Sequence, residues 1–405
     1  MAEKVSTDDN IRLDDLAPKV FRIAGVIGVA ALGVAGVLGA SAGDQLNQFL
    51  HSYLVAYMWA LSIGLGALWW VTLQHLVNAK WSVVVRRIGE LLAANMPLLA
   101  ILALPIIVPM LMGNTSLYHW LDQAHVAHDE VLSHKKPYLN IGFFMVRAVF
   151  YFVFWAVLSR YFFKRSLKQD ESGSPEFIAR MNRVSAPGMI FFGITVTFAA
   201  FDFVMSTEAH WFSTIFGVYY FAGCVVSVHA VLALVLFYLQ GQGRLKNSVS
   251  VHHYHDIGKM LFAFVVFWAY IGFSQYMLYW YANIPEETVF FKVRIGGDWF
   301  YLAWFLVIGH FVVPFFGLMS RHVKRSRFWL GFWAVWMLVA HYVDLYWIIM
   351  PTMHAERVSF GLVDITSLIG LASLLIAGTA YNARRVNLIP TKDPRLAKSL
   401  AFENY

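Results

Sequence analysis

The chain has 405 residues, of which 59% are apolar and only 14% charged, with a mean hydropathy of +0.59. A water-soluble chain of this length carries about a quarter charged residues and divides into two or three domains. The composition therefore excludes a soluble enzyme, a nucleic-acid binder and a disulfide scaffold; the net charge of +7 fits the basic loops of a polytopic membrane protein.

The amino-terminal segment, 1–19, mixes Glu3, Asp8, Asp9, Asp14 and Asp15 with Lys4, Arg12 and Lys19. A secretory signal would be basic there, so the segment is expected to be retained, although Ala40-Ser41-Ala42 has the small residues of a cleavage site. Apolar runs then predict ten transmembrane helices, near 20–40, 50–73, 88–112, 139–163, 187–205, 215–239, 257–281, 298–319, 328–350 and 359–381. Pro105, Pro109 and Pro314 fall inside spans, where hydroxyls or neighbouring helices must satisfy the freed carbonyls. Cys224, the single cysteine, lies within an apolar run and reads as a small buried hydrophobe, without capacity for an intramolecular disulfide or an iron–sulfur cluster.

Lys and Arg set the orientation. If the amino terminus is cytoplasmic, 25 of them fall in cytoplasmic segments and helix mouths and 5 on the other side, with Arg147 inside a span. Both termini, including the tail 382–405, are thus expected in the cytoplasm.

Weak internal similarity runs along the chain. Ile88-Gly89-Glu90 recurs as Ile257-Gly258-Lys259, and Tyr138-Leu139 with Ser159-Arg160 recurs as Tyr301-Leu302 with Ser320-Arg321. This register sets Arg147 against His310 and Asp202 against Asp344. The expected fold is all-α: two four-helix bundles, 50–205 and 215–350, related as a parallel repeat, with peripheral helices at 20–40 and 359–381.

An ionisable residue at bilayer depth costs on the order of 2.5–3.5 kcal/mol on insertion scales, so each one is a candidate for function. Arg147 and Asp202 lie near the outer ends of consecutive helices, as a neutralising pair or part of a quinone pocket. His341 and Asp344 share a helix face at i, i+3. With His229, His310 and Asp364 they are candidates for a proton path, because imidazole titrates near neutral pH and buried carboxylates shift towards it. The competing reading is that these groups simply pair and pin helices together. His119, His125, His128 and His134 in an outer loop, and His252, His253 and His255 beside Asp256, read as solvated or subunit-contact residues. A b-type haem would need two of the deep histidines, His229, His310 and His341, facing each other at one depth. No catalytic residue and no metal site is expected.

Ten helices in this arrangement resemble the NrfD/PsrC-type membrane subunits of respiratory oxidoreductases. The likeness is carried by His51-Ser52-Tyr53, by Arg86-Arg87-Ile88-Gly89-Glu90, and by the tail Asp393-Pro394-Arg395-Leu396 with Ser399-Leu400-Ala401-Phe402-Glu403-Asn404. With the compact length, these resemble the smaller NrfD-like subunit of alternative complex III, a bacterial quinol:electron-acceptor oxidoreductase. The resemblance implies a subunit of the bacterial inner membrane without a redox centre of its own. Its implied partners are a larger NrfD-like paralogue, haem-c cytochrome subunits, a periplasmic iron–sulfur subunit, membrane lipids and a terminal oxidase, with no nucleic acid. The implied non-covalent ligand is menaquinone/quinol or a lipid. The family places a quinol site at the outer end of the first bundle; here that bundle has Arg147 and Asp202 but no mid-membrane histidine, which favours the paralogue as the quinol site. A secondary transporter is the rival class, since parallel repeats with midplane polar residues occur there too.

Overall fold

The computed structural model describes residues 9–40 and 44–404. Residues 1–8 of the amino-terminal segment, and Ser41 and Ala42 of the small-residue motif, lie outside the described residues. The chain is an all-α polytopic protein, with ten helices among the described residues long and apolar enough to cross a membrane. They are α1 (Leu16–Gly39), α2 (Gln45–Leu76), α3 (Val83–Leu111), α4 (Ile141–Ser172), α5 (Glu176–Phe203), α6 (Phe216–Gly241), α7 (Val251–Ala282), α8 (Trp299–Met319), α9 (Arg327–Thr352) and α10 (Leu362–Ala383).

Several helices outrun the apolar windows that predict them. α4 continues to Ser172 and α5 begins at Glu176, through Arg160, Lys164, Arg165, Arg180 and Arg183. Hydropathy marks only the lipid-crossing part, whereas Arg and Lys are good helix formers and carry the helix into water. A 32-residue helix such as α4 is about 48 Å long, well beyond a hydrocarbon core of about 30 Å.

Proline breaks α3 into Val83–Ala93, Met96–Ile101 and Leu104–Leu111. Pro97 and Pro105 have no N–H to give to Ala93 and Ile101, four residues back, where the preceding segments end. Tyrosines on α2 take up carbonyls left over: Tyr57 donates to Leu99 at 3.0 Å and Tyr53 to Leu102 at 2.8 Å.

α2 and α6 occupy the centre and pack on each other. α2 also meets α3 and α5, with α4 joining these two; α6 meets α7 and α9, with α8 joining them. Glycine allows the close approaches. A side chain at Gly66 of α2 would collide with the Cys224 carbonyl of α6. α1 and α10 form a separate pair against α2, locked by two reciprocal contacts. A Cβ on Gly28 would lie 2.7 Å from Leu374, and one on Gly370 would lie 2.5 Å from Leu32.

Both ends of the chain meet on one face. Leu388 N–H donates to the Ile11 carbonyl at 2.8 Å. The Asp9 carboxylate is cradled by the backbone N–H groups of Lys246, Asn247 and Ser248 at 2.8, 3.2 and 2.8 Å. This is the terminal face; the loops between α1 and α2, α3 and α4, α5 and α6, α7 and α8, and α9 and α10 form the opposite face.

Candidate functional site

Pro314 shapes the first element of the site. It has no N–H for the carbonyl of His310, four residues earlier, and the backbone widens into a π-helical stretch over Leu306–Val312. Such π turns recur at functional sites. His310 sits within this stretch, fully buried, its ring stacked on Trp268 of α7 with centroids 3.7 Å apart. Neither of its ring nitrogens has a hydrogen-bond partner among the described residues.

α9 supplies His341 and Asp344, whose i, i+3 spacing turns both inward. His341 Nδ1 lies 4.0 Å from Asp344 Oδ2. One ligand-type atom from each of His310, His341 and Asp344 falls within 4.8 Å of the others, and only these three cluster in this way among the described residues. Asp344 accepts hydrogen bonds from Trp268 Nε1 at 3.0 Å and from the Tyr219 hydroxyl of α6. His341 Nε2 lies 3.0 Å from Ser62 Oγ of α2, and Ser62 Oγ lies 3.2 Å from Ser227 of α6. Five helices thus converge on the cluster. Gly223 of α6 leaves room for the imidazole, since any Cβ there would clash with it.

Proton positions follow from the neighbours. The Ser62 hydroxyl donates to the Trp59 carbonyl at 2.7 Å, so it accepts from His341 Nε2–H. In the neutral imidazole the lone pair is then on Nδ1, which faces Asp344 and has no hydrogen-bond partner among the described residues. When Asp344 is ionised, two proton-accepting atoms oppose each other across this gap. A two-imidazole, one-carboxylate group also has donor types that a divalent metal takes. Here each oxygen of the carboxylate is already committed to a tyrosine or tryptophan donor.

Arg147 and Asp202 form a closed ion pair. Arg147 Nε and Nη2 each donate to Asp202 at 2.8 Å, and its Nη1 donates to the Tyr138 carbonyl at 3.0 Å. The guanidinium lies over the Tyr138 ring at 3.8 Å, and Tyr151 adds a third donor to Asp202 at 2.8 Å. Every charged nitrogen and oxygen is occupied.

His229 and Asp364 stand apart from the cluster. On α6, His229 is six residues past Gly223 and so points away from His341. Its Nδ1–H donates to the Val225 carbonyl at 2.8 Å, and Nε2 has no partner among the described residues. Asp364 lies in the first turn of α10, which packs on α1 and α2 rather than on α8 or α9, and its Oδ2 accepts the Gly361 N–H at 2.8 Å.

Sequence reasoning missed a buried ionic network at the terminal face. Arg86 and Arg87, counted among water-facing charges, are fully buried on α3. Glu90 lies 3.2 Å from Arg86 and 2.9 Å from Arg87. Asp393 of the tail lies 2.8 Å from both Arg86 and Arg395, and Asp170 lies 2.8 Å from Arg87. Three cations meet three anions. The i, i+4 spacing of Arg86 and Glu90 was the available signal, but nothing local links it to Asp393. Two further histidines are also buried: His75, 3.9 Å from Glu90, and His51, bonded to the Asn47 carbonyl at 2.8 Å. They lie near the ends of α2, where the folded tail and the outer loops cover them.

The remaining histidine groups have local structural roles. His253, expected to be solvated or at a subunit contact, is buried within the chain and its Nε2 lies 3.1 Å from the Ser399 carbonyl, while His252 accepts the Asn404 N–H at 2.9 Å. Both hold the tail. In the loop between α3 and α4, His128 bonds its own turn at Ala124, and Asp129 pairs with His210 at 2.6 Å. Compared with protein-family models and with curated proteins, the chain finds no match.

Proposed function

We propose that the chain is an integral-membrane subunit of a respiratory quinol oxidoreductase of the NrfD/PsrC type, and that α6–α9 move protons coupled to quinol oxidation elsewhere in the complex. One observation carries this reading: the lone pair of His341 Nδ1 faces Asp344 across 4.0 Å, deep among apolar helices, with His310 alongside. Asp202 has a cation that neutralises it, whereas among the described residues the hydrogen-bond donors to Asp344 are the neutral Tyr219 and Trp268. A mobile proton is the simplest species that satisfies Nδ1 and the carboxylate together, and the unpartnered nitrogens of His310 offer its next station. On this reading the subunit carries no redox centre and assembles with a larger paralogue, haem-c cytochromes and an iron–sulfur subunit in a bacterial inner membrane, with its termini cytoplasmic.

The test is Asp344→Asn in the purified, reconstituted complex. Asn keeps an acceptor and the shape but cannot exchange the proton. Assembly and haem content should stay intact while the proton-to-electron ratio falls. An unchanged ratio in a variant whose wild type shows coupled movement would overturn the proposal; loss of assembly would make the cluster helix glue. Purification as a lone homo-oligomer without haem-c polypeptides would favour a transporter instead.

A further inference from the structure

A cavity of about 750 Å³ opens sideways between α7 and α8 in the half nearer the opposite face. Along α7 it runs from Val266 to Tyr276, about 15 Å at helical rise. Its mouth is flanked by Tyr270, Phe273 and Trp304, all more than half exposed on the lateral surface, so it opens where membrane lipid would lie. The inner wall is Trp268 and Tyr219. Gln275 is the one lining side chain that is neither aliphatic nor aromatic, glycine aside. It is only 5% exposed; its Oε1 accepts from Ser213 at 2.9 Å, and its amide nitrogen makes no hydrogen bond among the described residues. An amide donor left open beside an apolar cavity is free to meet an acceptor there.

We infer that this slot holds an acyl chain of one glycerophospholipid, whose ester carbonyl accepts a hydrogen bond from Gln275. An apolar slot about 15 Å long, open to lipid along one side and with an amide donor near one end, suits a chain with a carbonyl at its head. Gln275 lies seven residues, about 10 Å, from the end of α7 at Ala282, in the shallower part of the slot with Tyr276 and Phe291, on the side where an ester at the edge of the hydrocarbon would lie. The chain would rest on Trp268 and Tyr219, the two donors to Asp344. The inference concerns lipid binding alone and stands independently of proton movement.

Native mass spectrometry of the delipidated full chain, with dioleoyl phosphatidylglycerol added back, tests it. Wild type should keep one lipid per chain at collision energies that strip the rest. Ala269→Trp, which fills the slot, should lower that occupancy at least tenfold, and Gln275→Leu several-fold. The dioleyl ether analogue has the chains without the carbonyl. It should bind wild type as weakly as the ester lipid binds Gln275→Leu, a comparison that does not depend on how any variant folds. Equal binding of ether and ester lipid, undiminished binding by Ala269→Trp, or retention of no lipid by wild type would each overturn the inference.

Discussion

Arg147 and Asp202 are matched atom for atom, and that closure decides what the pair can do. A bidentate guanidinium–carboxylate contact with a tyrosine on its third lone pair has no free valence for a passing proton. Its role is to hold α4 against α5. Arg147→Ala should therefore destabilise the protein by about 3–5 kcal/mol, chiefly by stranding Asp202, whereas the double change Arg147→Met with Asp202→Leu should restore most of the loss. Thermal unfolding of the purified variants checks this. At this scale the sequence disclosed a good deal. The i, i+3 spacing of His341 and Asp344 and the facing of Arg147 with Asp202 follow from helical period and depth. Ser62, Tyr219 and Trp268 were not legible, because each reaches the cluster from a different helix and resembles its many hydroxyl and aromatic neighbours in sequence.

Proline organises the elements that matter most. In α3 it produces three short helices whose leftover carbonyls are satisfied by Tyr53 and Tyr57; in α8 it widens one turn and sets the position of His310. Pro314→Ala would return an N–H to the His310 carbonyl and let α8 close into a regular helix. One residue of register is about 100° of rotation, enough to carry His310 off Trp268. The expected outcome is a complex of near-normal stability with a reduced proton-to-electron ratio, measured by the same reconstitution as for Asp344→Asn. The ten spans themselves were plain from hydropathy, since a bilayer demands about twenty apolar residues per crossing. Their true ends were not, because α4 and α5 run on into water on charged, helix-favouring residues that hydropathy cannot mark.

At the scale of the whole molecule, the terminal face is closed by the folded tail. Asp393 ties the tail to α3, and although burial alone would raise its pKa, the hydrogen bond from Arg395 and the charges of Arg86 and Arg395 hold it well below the usual carboxylate range. A carboxyl depressed on folding stabilises above its unfolded pKa of about 3.9, and that contribution fades as pH falls towards the lower folded value. Wild type should thus melt above Asp393→Asn at pH 7, with the gap closing as the buffer is taken below about pH 4. A thermal-melt series against pH reads this directly. Burial of Arg86 and Arg87 removes two charges from the water-facing count, yet the bias of Lys and Arg towards this face persists. A reporter active only outside the cytoplasm should accordingly be silent when fused after Tyr405, and activity there would reverse the proposed orientation.

The reciprocal glycine–leucine contacts of α1 and α10 bear on the order in which the protein is made. α1 leaves the ribosome well before α10, with more than 300 residues between them. At about 5–20 residues per second, α1 waits on the order of tens of seconds for its partner. During that interval Gly28 and Leu32 face lipid, and the surface of α2 that the pair will cover is open. Closure of this pair must wait until the eight helices between them have been made, and it brings the tail to the face where Arg86 needs the counter-charge of Asp393.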